Sequence, residues 1–154
     1  MRLIAVGDRQ PSWVDAAFEN YLQRLPRQWR FRLDLIATAP RSKKSDAKTA
    51  KIAEGRKVLA KIKAPECVVV LDEGGKEFSS QELAARLDEW QSGGRDLTFV
   101  IGGPDGVSED CMVRADLRWS LSRLTLPHGL ARVLFAEQLY RAWCLTTGHP
   151  YHRS

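Results

Sequence analysis

Phe99-Val100-Ile101-Gly102-Gly103-Pro104-Asp105-Gly106 joins a short apolar run to a loop of glycine, proline and aspartate. Together with Leu97 and Thr98 the apolar part is too continuous for a half-buried strand, so it reads as a strand covered on both faces, as in a parallel sheet. Parallel sheets bind ligands beyond the carboxyl ends of their strands, and the GGPDG loop is at such an end. Its glycines permit close backbone approach, and Pro104 fixes φ and removes a donor. Without further context, the loop is equally well a plain turn.

The rest of the chain is consistent with this frame. Upstream, Cys67-Val-Val-Val-Leu71 is a second buried strand, and Asp72 to Phe78 reads as a loop. Ser79-Ser80-Gln81-Glu82 is a capping signature for a helix through about Trp90, closed by Gly93-Gly94. Nearer the start, Leu3 to Val6 reads as a strand. Trp13 to Leu25 reads as a helix with Trp13, Ala17, Tyr21 and Leu25 at helical spacing, and Phe31 to Leu35 alternates as a half-buried strand. Asp46 to Lys63 is expected to be a helix with a thin stripe of Ile52, Leu59 and Ile62. Downstream, Ser108 to Ala115 suggests a short helix and Leu117 to Leu121 a last strand. The alternation predicts an α/β fold with a mainly parallel sheet flanked by helices, in a single domain over 1–154.

The final helix, about Leu130 to Thr147, is apolar all round. Leu130, Val133, Leu134, Tyr140 and Cys144 fall toward one side, and Phe135, Leu139 and Ala142 toward the other. One sheet face covers one side, and a partner subunit is the simplest cover for the other, so a homodimer through this helix is expected. Glu137 and Arg141, four apart, form a charge pair at that contact.

Composition narrows the function classes. No apolar run approaches a membrane span, and the start is too short in apolar residues for a signal peptide, so a cytoplasmic protein is expected. Cys67, Cys111 and Cys144 form neither a disulfide framework nor a metal motif, and read as buried or partly buried thiols. The net charge is +5. Its source is local: Arg41, Lys43, Lys44, Lys48, Lys51, Arg56, Lys57, Lys61 and Lys63 face only Asp46 and Glu54 within one segment. The remaining chain is slightly acidic, with fifteen bases against seventeen acids. This segment suits a polyanion or, alternatively, is a solvated helix face.

A dinucleotide fingerprint is missing after the first strand, where Val6-Gly7-Asp8-Arg9-Gln10-Pro11 stands, and no Walker loop is present. More informative is Leu121-Ser122-Arg123-Leu124-Thr125-Leu126, too apolar for an idle surface loop yet broken by hydroxyl residues. Leu121, Leu124 and Leu126 can line a flat apolar slot, with backbone groups between them for a heterocycle edge such as adenine. The other reading is a buried connection.

Leu71-Asp72 with Gly75-Lys76 and Ser79-Ser80, Ile101-Gly102-Gly103-Pro104, Trp119 to Ser122, Leu124 to His128, Tyr140-Arg141-Ala142 and Tyr151-His152-Arg153 form, end to end, a pattern that resembles the ribosomal RNA large subunit methyltransferase H family, small single-domain SPOUT methyltransferases. The resemblance implies a C-terminal deep trefoil knot, an exception to the rule against knots. It also implies S-adenosyl-L-methionine, without a metal, held at Leu71, Gly102 and Leu121 to Leu126. The implied reaction is methylation of N3 of a pseudouridine in helix 69 of 23S rRNA in the assembled ribosome, by a homodimer. Other SPOUT proteins act on tRNA, and a ribosome-binding or assembly protein without turnover is the alternative of another class.

Methyl transfer needs an in-line nucleophile relieved of its proton. The tail supplies candidates: Tyr151 or His152 to deprotonate or orient the base, and Arg153 to anchor a phosphate or developing charge. The tail as a mere helix cap packed on the partner is the competing reading. His128 is expected to shape the cofactor loop. Gly129 stands where the family often carries a bulkier residue or proline, which is expected to loosen the start of the last helix.

Overall fold

A computed structural model describes residues 1–7, 9–41 and 46–153, apart from the side chains of His152 and Arg153. Five parallel strands lie in the order β2-β1-β4-β3-β5, with β1 Arg2–Val6, β2 Arg32–Ile36, β3 Cys67–Glu77, β4 Leu97–Ile101 and β5 Leu117–Ser120. The expected mainly parallel α/β architecture is what the chain adopts. The continuous apolar runs of β1, β3 and β4 are buried on both faces, which is why they lack alternation. On one face Leu3, Ala5, Val69, Phe99 and Trp119 pack beneath α1 Ser12–Leu22, α3 Ser80–Ser92 and α5 His128–Thr147. On the other, Ile4, Val6, Val68, Val70 and Val100 meet Val58 of α2 Ala47–Lys61 and Cys111 of α4 Glu109–Arg114.

Several local readings hold. The Ser79 capping box forms, with the Glu82 N–H donating to Ser79 Oγ at 3.2 Å and the Ser79 N–H to Glu82 Oε2 at 2.7 Å. All three cysteines are free thiols, two buried and Cys67 partly so. The Glu137–Arg141 pair is made at 2.7 Å.

Others need correction. The segment Asp72 to Glu77 continues β3: after a register shift, Lys76 and Glu77 pair with Trp119 and Ser120 of β5. Gly75 makes this possible, because a Cβ there would lie 2.7 Å from the backbone of Arg118 and Trp119. In α1 Trp13 is exposed and the buried residues are Val14 and Phe18, whereas Tyr21 and, beyond the helix end, Leu25 of the expected stripe do pack into the core. In α2, Ile52 faces outward and the buried residues are Ala50, Glu54, Gly55 and Val58. Gly55 allows the close approach, as a Cβ would fall 2.0 Å from Ser108 Oγ.

The last helix begins at His128, so Gly129 sits in its first turn, where a Cβ would meet Gln10 Oε1 at 2.8 Å and Val14 Cγ2 at 2.9 Å. Gly129 therefore lets α5 start close against α1 instead of loosening it. Within the chain α5 lies between α1 and α3 on the sheet, and Phe135, Ala136, Leu139, Ala142 and Cys144 are completely buried. These neighbours cover much of the apolar circumference that suggested a partner. Leu130 stays exposed and Leu134 half-exposed on the outer strip.

Candidate functional site

The carboxyl ends of β3, β4 and β5 and the start of α5 enclose a cavity of about 850 Å³. Leu71, Gly102, Leu121, Ser122, Leu124, Thr125 and Leu126 all line it. These are residues singled out from sequence, brought together from strand β3 and from the loops after β4 and β5. Arg123 is the exception: its side chain is exposed and paired with Glu77 at 3.0 Å, so only its backbone belongs to the run.

Local chemistry shapes both loops. In GGPDG, the Gly106 N–H donates to Gly103 O at 2.9 Å and Gly106 has φ +82°, closing a tight turn. Gly102 lies under that turn, where a Cβ would be 2.5 Å from the Gly106 backbone. In the other loop, Ser122 Oγ accepts from the Leu124 N–H at 3.0 Å and the Ser120 hydroxyl donates to Ser122 O at 2.9 Å. These bonds hold Leu124 out at 73% exposure beside half-buried Leu121 and Leu126. An apolar wall with an exposed leucine at its edge suits a flat heterocycle.

Charge surrounds the cavity unevenly. Glu73 lines it and accepts from the Thr125 hydroxyl at 3.3 Å, while Asp72 is paired with Arg118 at 2.5 Å. Lys51 of α2 also lines it, and Lys48, Arg56, Lys57, Lys61 and Lys63 are exposed beyond it. Arg41 differs from these bases, since its guanidinium is committed to Glu54 at 3.1 Å and Asp105 at 2.8 Å. Lys43 and Lys44 lie outside the described residues.

A second cavity of about 410 Å³ adjoins the first, sharing Pro104 and His128 and reaching the carboxyl ends of β1 and β2. Two charged side chains that sequence reading did not assign to the site brace it. Arg132, 1% exposed, donates to Gly7 O at 2.7 Å and sits 3.3 Å from His128 Nε2. A guanidinium only donates, so His128 Nε2 accepts and the ring proton is on Nδ1. Burial, and then the charge of Arg132, pushes the imidazole below its ordinary value, against a hydrogen bond to the Gly102 backbone. His128 is thus neutral near pH 7 and links α5 to Gly102. Glu54, 2% exposed, accepts from the Ala39 N–H at 2.8 Å and from Arg41. The available signals were an arginine four residues after His128 within an apolar helix, and a glutamate beside the helix glycine Gly55.

Tyr151 of the tail lines neither cavity of its own chain. The Tyr151 hydroxyl donates to Glu137 Oε1 at 3.2 Å and lies 3.4 Å from the Tyr21 hydroxyl, with Arg141 over its ring at 5.0 Å. Burial, and then the Tyr21 hydrogen bond, pushes this phenol well above its ordinary range. It is a hydrogen-bond donor there and not a base. His152 and Arg153 end a short 3₁₀ turn, Pro150–Arg153, and their side chains lie outside the described residues. Among the described residues, no cluster of three or more His, Cys, Asp or Glu is placed to hold a metal ion, and no helix is long and apolar enough to cross a membrane.

Comparison with known proteins agrees with this geometry. The family described as predicted SPOUT methyltransferase matches residues 1–152. The ribosomal RNA large subunit methyltransferase H of Thioalkalivibrio sulfidiphilus is 50% identical over 99% of this chain and 98% of its own length. The protein of the same name from Chromohalobacter salexigens is 47% identical over 99% of each. A solved structure of a probable methylase family protein from Haemophilus influenzae shares the fold with a TM-score of 0.56 at 11% identity, over 97% of this chain and 69% of that one. From a match along nearly its whole length and relatives about half identical to it, the chain belongs to the predicted SPOUT methyltransferase family.

Proposed function

We propose that this chain is an S-adenosyl-L-methionine-dependent methyltransferase of large-subunit ribosomal RNA, acting on N3 of a pseudouridine in helix 69 of 23S rRNA in the assembled ribosome. It works in the cytoplasm as a single-domain homodimer joined through α5, its C-terminal part threaded as a trefoil knot. The observation that carries this reading is the convergence of Leu71, Gly102 and the 121–126 run on one cavity, in a chain about half identical to relatives named as ribosomal RNA large subunit methyltransferases.

The residues present fit the cofactor. Leu71, Leu121 and Leu126 form an apolar wall that would hold an adenine, with Leu124 beside it and the backbone of 121–126 and Gly102 available to its polar groups. Glu73 puts negative charge on the rim, complementary to a sulfonium. When bound, the cofactor supplies an electrophilic methyl group. To accept it, the imide nitrogen would have to lie in line with that methyl group and be relieved of its proton, which is what the residues around the cavity would have to arrange. Gly102 and Gly103 let the GGPDG turn pack closely against Val107, Val6 and Glu54, which fixes the cavity floor.

Tyr151, His152 and Arg153 are the proposed catalytic residues, presented to the partner's cavity. Glu137, the acceptor of Tyr151, stands nine residues along α5 from His128, about 13 Å at helical rise, which favours service across a dimer. In that role Tyr151 orients the base as a donor, and Arg153 anchors a phosphate. The basic face of α2, with Lys51 at the cavity, supports an RNA substrate.

The test is methyl transfer from labelled S-adenosyl-L-methionine to ribosomes and to free 23S rRNA from cells lacking this protein. Incorporation into ribosomes at a helix 69 pseudouridine is expected. No incorporation with cofactor binding intact redirects the search to tRNA or to a non-catalytic role.

A further inference from the structure

We infer that the smaller cavity, at the carboxyl ends of β1 and β2, is the chamber that receives the acceptor base, a pyrimidine-type nucleobase presenting an imide edge. This rests on the methyl-transfer reading above and adds a place for the substrate. The apolar slot of the larger cavity is committed to the cofactor, so the nucleophile must arrive from adjoining space. The smaller cavity is such space, adjoining the larger one with Pro104 and His128 lining both.

Its walls have the right chemistry. Gln10 offers an amide that both donates and accepts, Thr38 a hydroxyl that does the same, and Arg9 a cation for a nucleotide phosphate. An imide edge alternates acceptor, donor and acceptor, which an amide and a hydroxyl can meet. The volume of about 410 Å³ lies within the range of small-molecule pockets.

The chamber is also built rigidly, by the two most buried charged groups of the described residues. Arg132 holds the Gly7 carbonyl on one wall and, through His128, the Gly102 backbone on the shared wall. Glu54 holds Ala39, next to Thr38, and through Arg41 it ties Asp105, next to Pro104. Opposite walls are therefore tied to each other, by the Arg132 hydrogen bonds on one side and by the Glu54–Arg41–Asp105 ion pairs on the other. Gly7, at φ +114°, keeps the space open, since a Cβ there would sit 3.2 Å from His128 Nε2 and 3.4 Å from Gln10 Nε2. Buried charge is costly unless it positions something, and here it positions the chamber walls.

The test uses the full chain. In the presence of S-adenosylhomocysteine, isotope-labelled protein is titrated with uridine and pseudouridine 5′-monophosphate at millimolar concentration. Amide shifts are expected at Gly7, the Gln10 side chain and Thr38. Shifts confined to 121–126, or none, overturn the assignment. Independently, Gln10→Leu and Thr38→Val are expected to lower kcat/KM for ribosomes by about tenfold or more, with S-adenosylhomocysteine affinity held within about twofold. Full turnover by both variants, or a loss of cofactor affinity instead, refutes the chamber. If the unaltered protein methylates no RNA, the methyl-transfer reading fails, and the nucleotide titration still decides whether a base binds here.

Discussion

Replacing Gly102 with alanine separates the geometry of the cofactor cavity from general stability. The new Cβ falls 2.5 Å from the Gly106 carbonyl carbon and oxygen and 2.7 Å from Val107 Cγ2. The first contact is backbone, so it cannot be relieved by a rotamer. Restoring ordinary contact near 3.4 Å requires the GGPDG turn to move by about 0.9 Å, in packing that resists such shifts. Overpacking of this kind costs about 1–3 kcal/mol, or roughly 2–12 °C in Tm for a chain of this size. A displacement near 1 Å at positioning residues lowers turnover by about a hundredfold. Gly106→Ala is the control: at φ +82° with open space around the Cβ, it carries a left-handed strain of about 1–2 kcal/mol and displaces nothing at Gly102. Thermal unfolding with calorimetric titration of S-adenosylhomocysteine should show both variants destabilised and only Gly102→Ala weakened in binding. Native-like affinity in Gly102→Ala, or equal losses in the two variants, would refute the reasoning.

Three further outcomes are expected. His128 has its folded pKa below the ordinary 6.5, so the unfolded chain takes up its proton first; this contribution is complete above that value and lost as pH falls toward the folded one. Thermal unfolding from about pH 7.5 to 5.5 should therefore fall less steeply in His128→Gln, and an unchanged slope removes His128 as a source of the acid sensitivity. Gly75→Ala should cost about 1–3 kcal/mol in denaturant unfolding and expose amides of 74–77 to exchange, because its Cβ meets the β5 backbone at 2.7 Å; native exchange there would show that β3 does not need this glycine. Mixing a cofactor-slot variant, Gly102→Ala, with a tail variant, Arg153→Ala, should restore methyl transfer in the heterodimer, whereas two inactive proteins that stay inactive when mixed place tail and slot in one subunit.

What could be read from sequence was whatever depends on neighbours along the chain. Cys67 to Leu71 and Leu97 to Ile101 announced buried parallel strands because each carries its apolar residues consecutively, and Ser79 with Glu82 announced a cap because both partners lie within one turn. The GGPDG loop and the 121–126 run were legible for a similar reason, each being a short run with its own composition, whereas Leu71, inside β3, was reached only through the family resemblance. Residues whose role depends on distant partners were misread. Ile52 is the more hydrophobic choice for the inner face of α2, yet Glu54 and Gly55 face inward, because Ala39, Arg41 and Ser108 come to meet them. Asp72 to Glu77 reads as a loop on composition alone, and only the backbone of β5 makes it a strand.

The distribution of charge along the sheet carries the same point into function. At the amino edge, Arg2 joins Glu66, Asp34 and Thr98, and Asp116 joins Arg95 and Arg114, so these carboxylates are closed into local ion pairs. Burial raises Glu66 and Asp116, but hydrogen bonds and arginine charge outweigh it and leave both below the usual carboxylate range. That edge contributes stability that is full above the usual carboxylate range and is lost as pH falls through that range toward the lowered folded values. At the carboxyl edge, Arg132 contacts a carbonyl and a neutral histidine, with Nε lacking a hydrogen-bond partner among the described residues. A buried cation with no carboxylate in ion-pair contact among the described residues, only the field of Asp15, is a poor device for stability, and replacing buried charged groups by apolar ones is often neutral or stabilising. Arg132→Met should therefore leave the chain folded and no less stable while releasing Gly7 and His128, so that turnover falls as Tm holds. A fall in Tm matching the loss of turnover would make Arg132 a structural residue like Arg2, and would remove the distinction between the two edges.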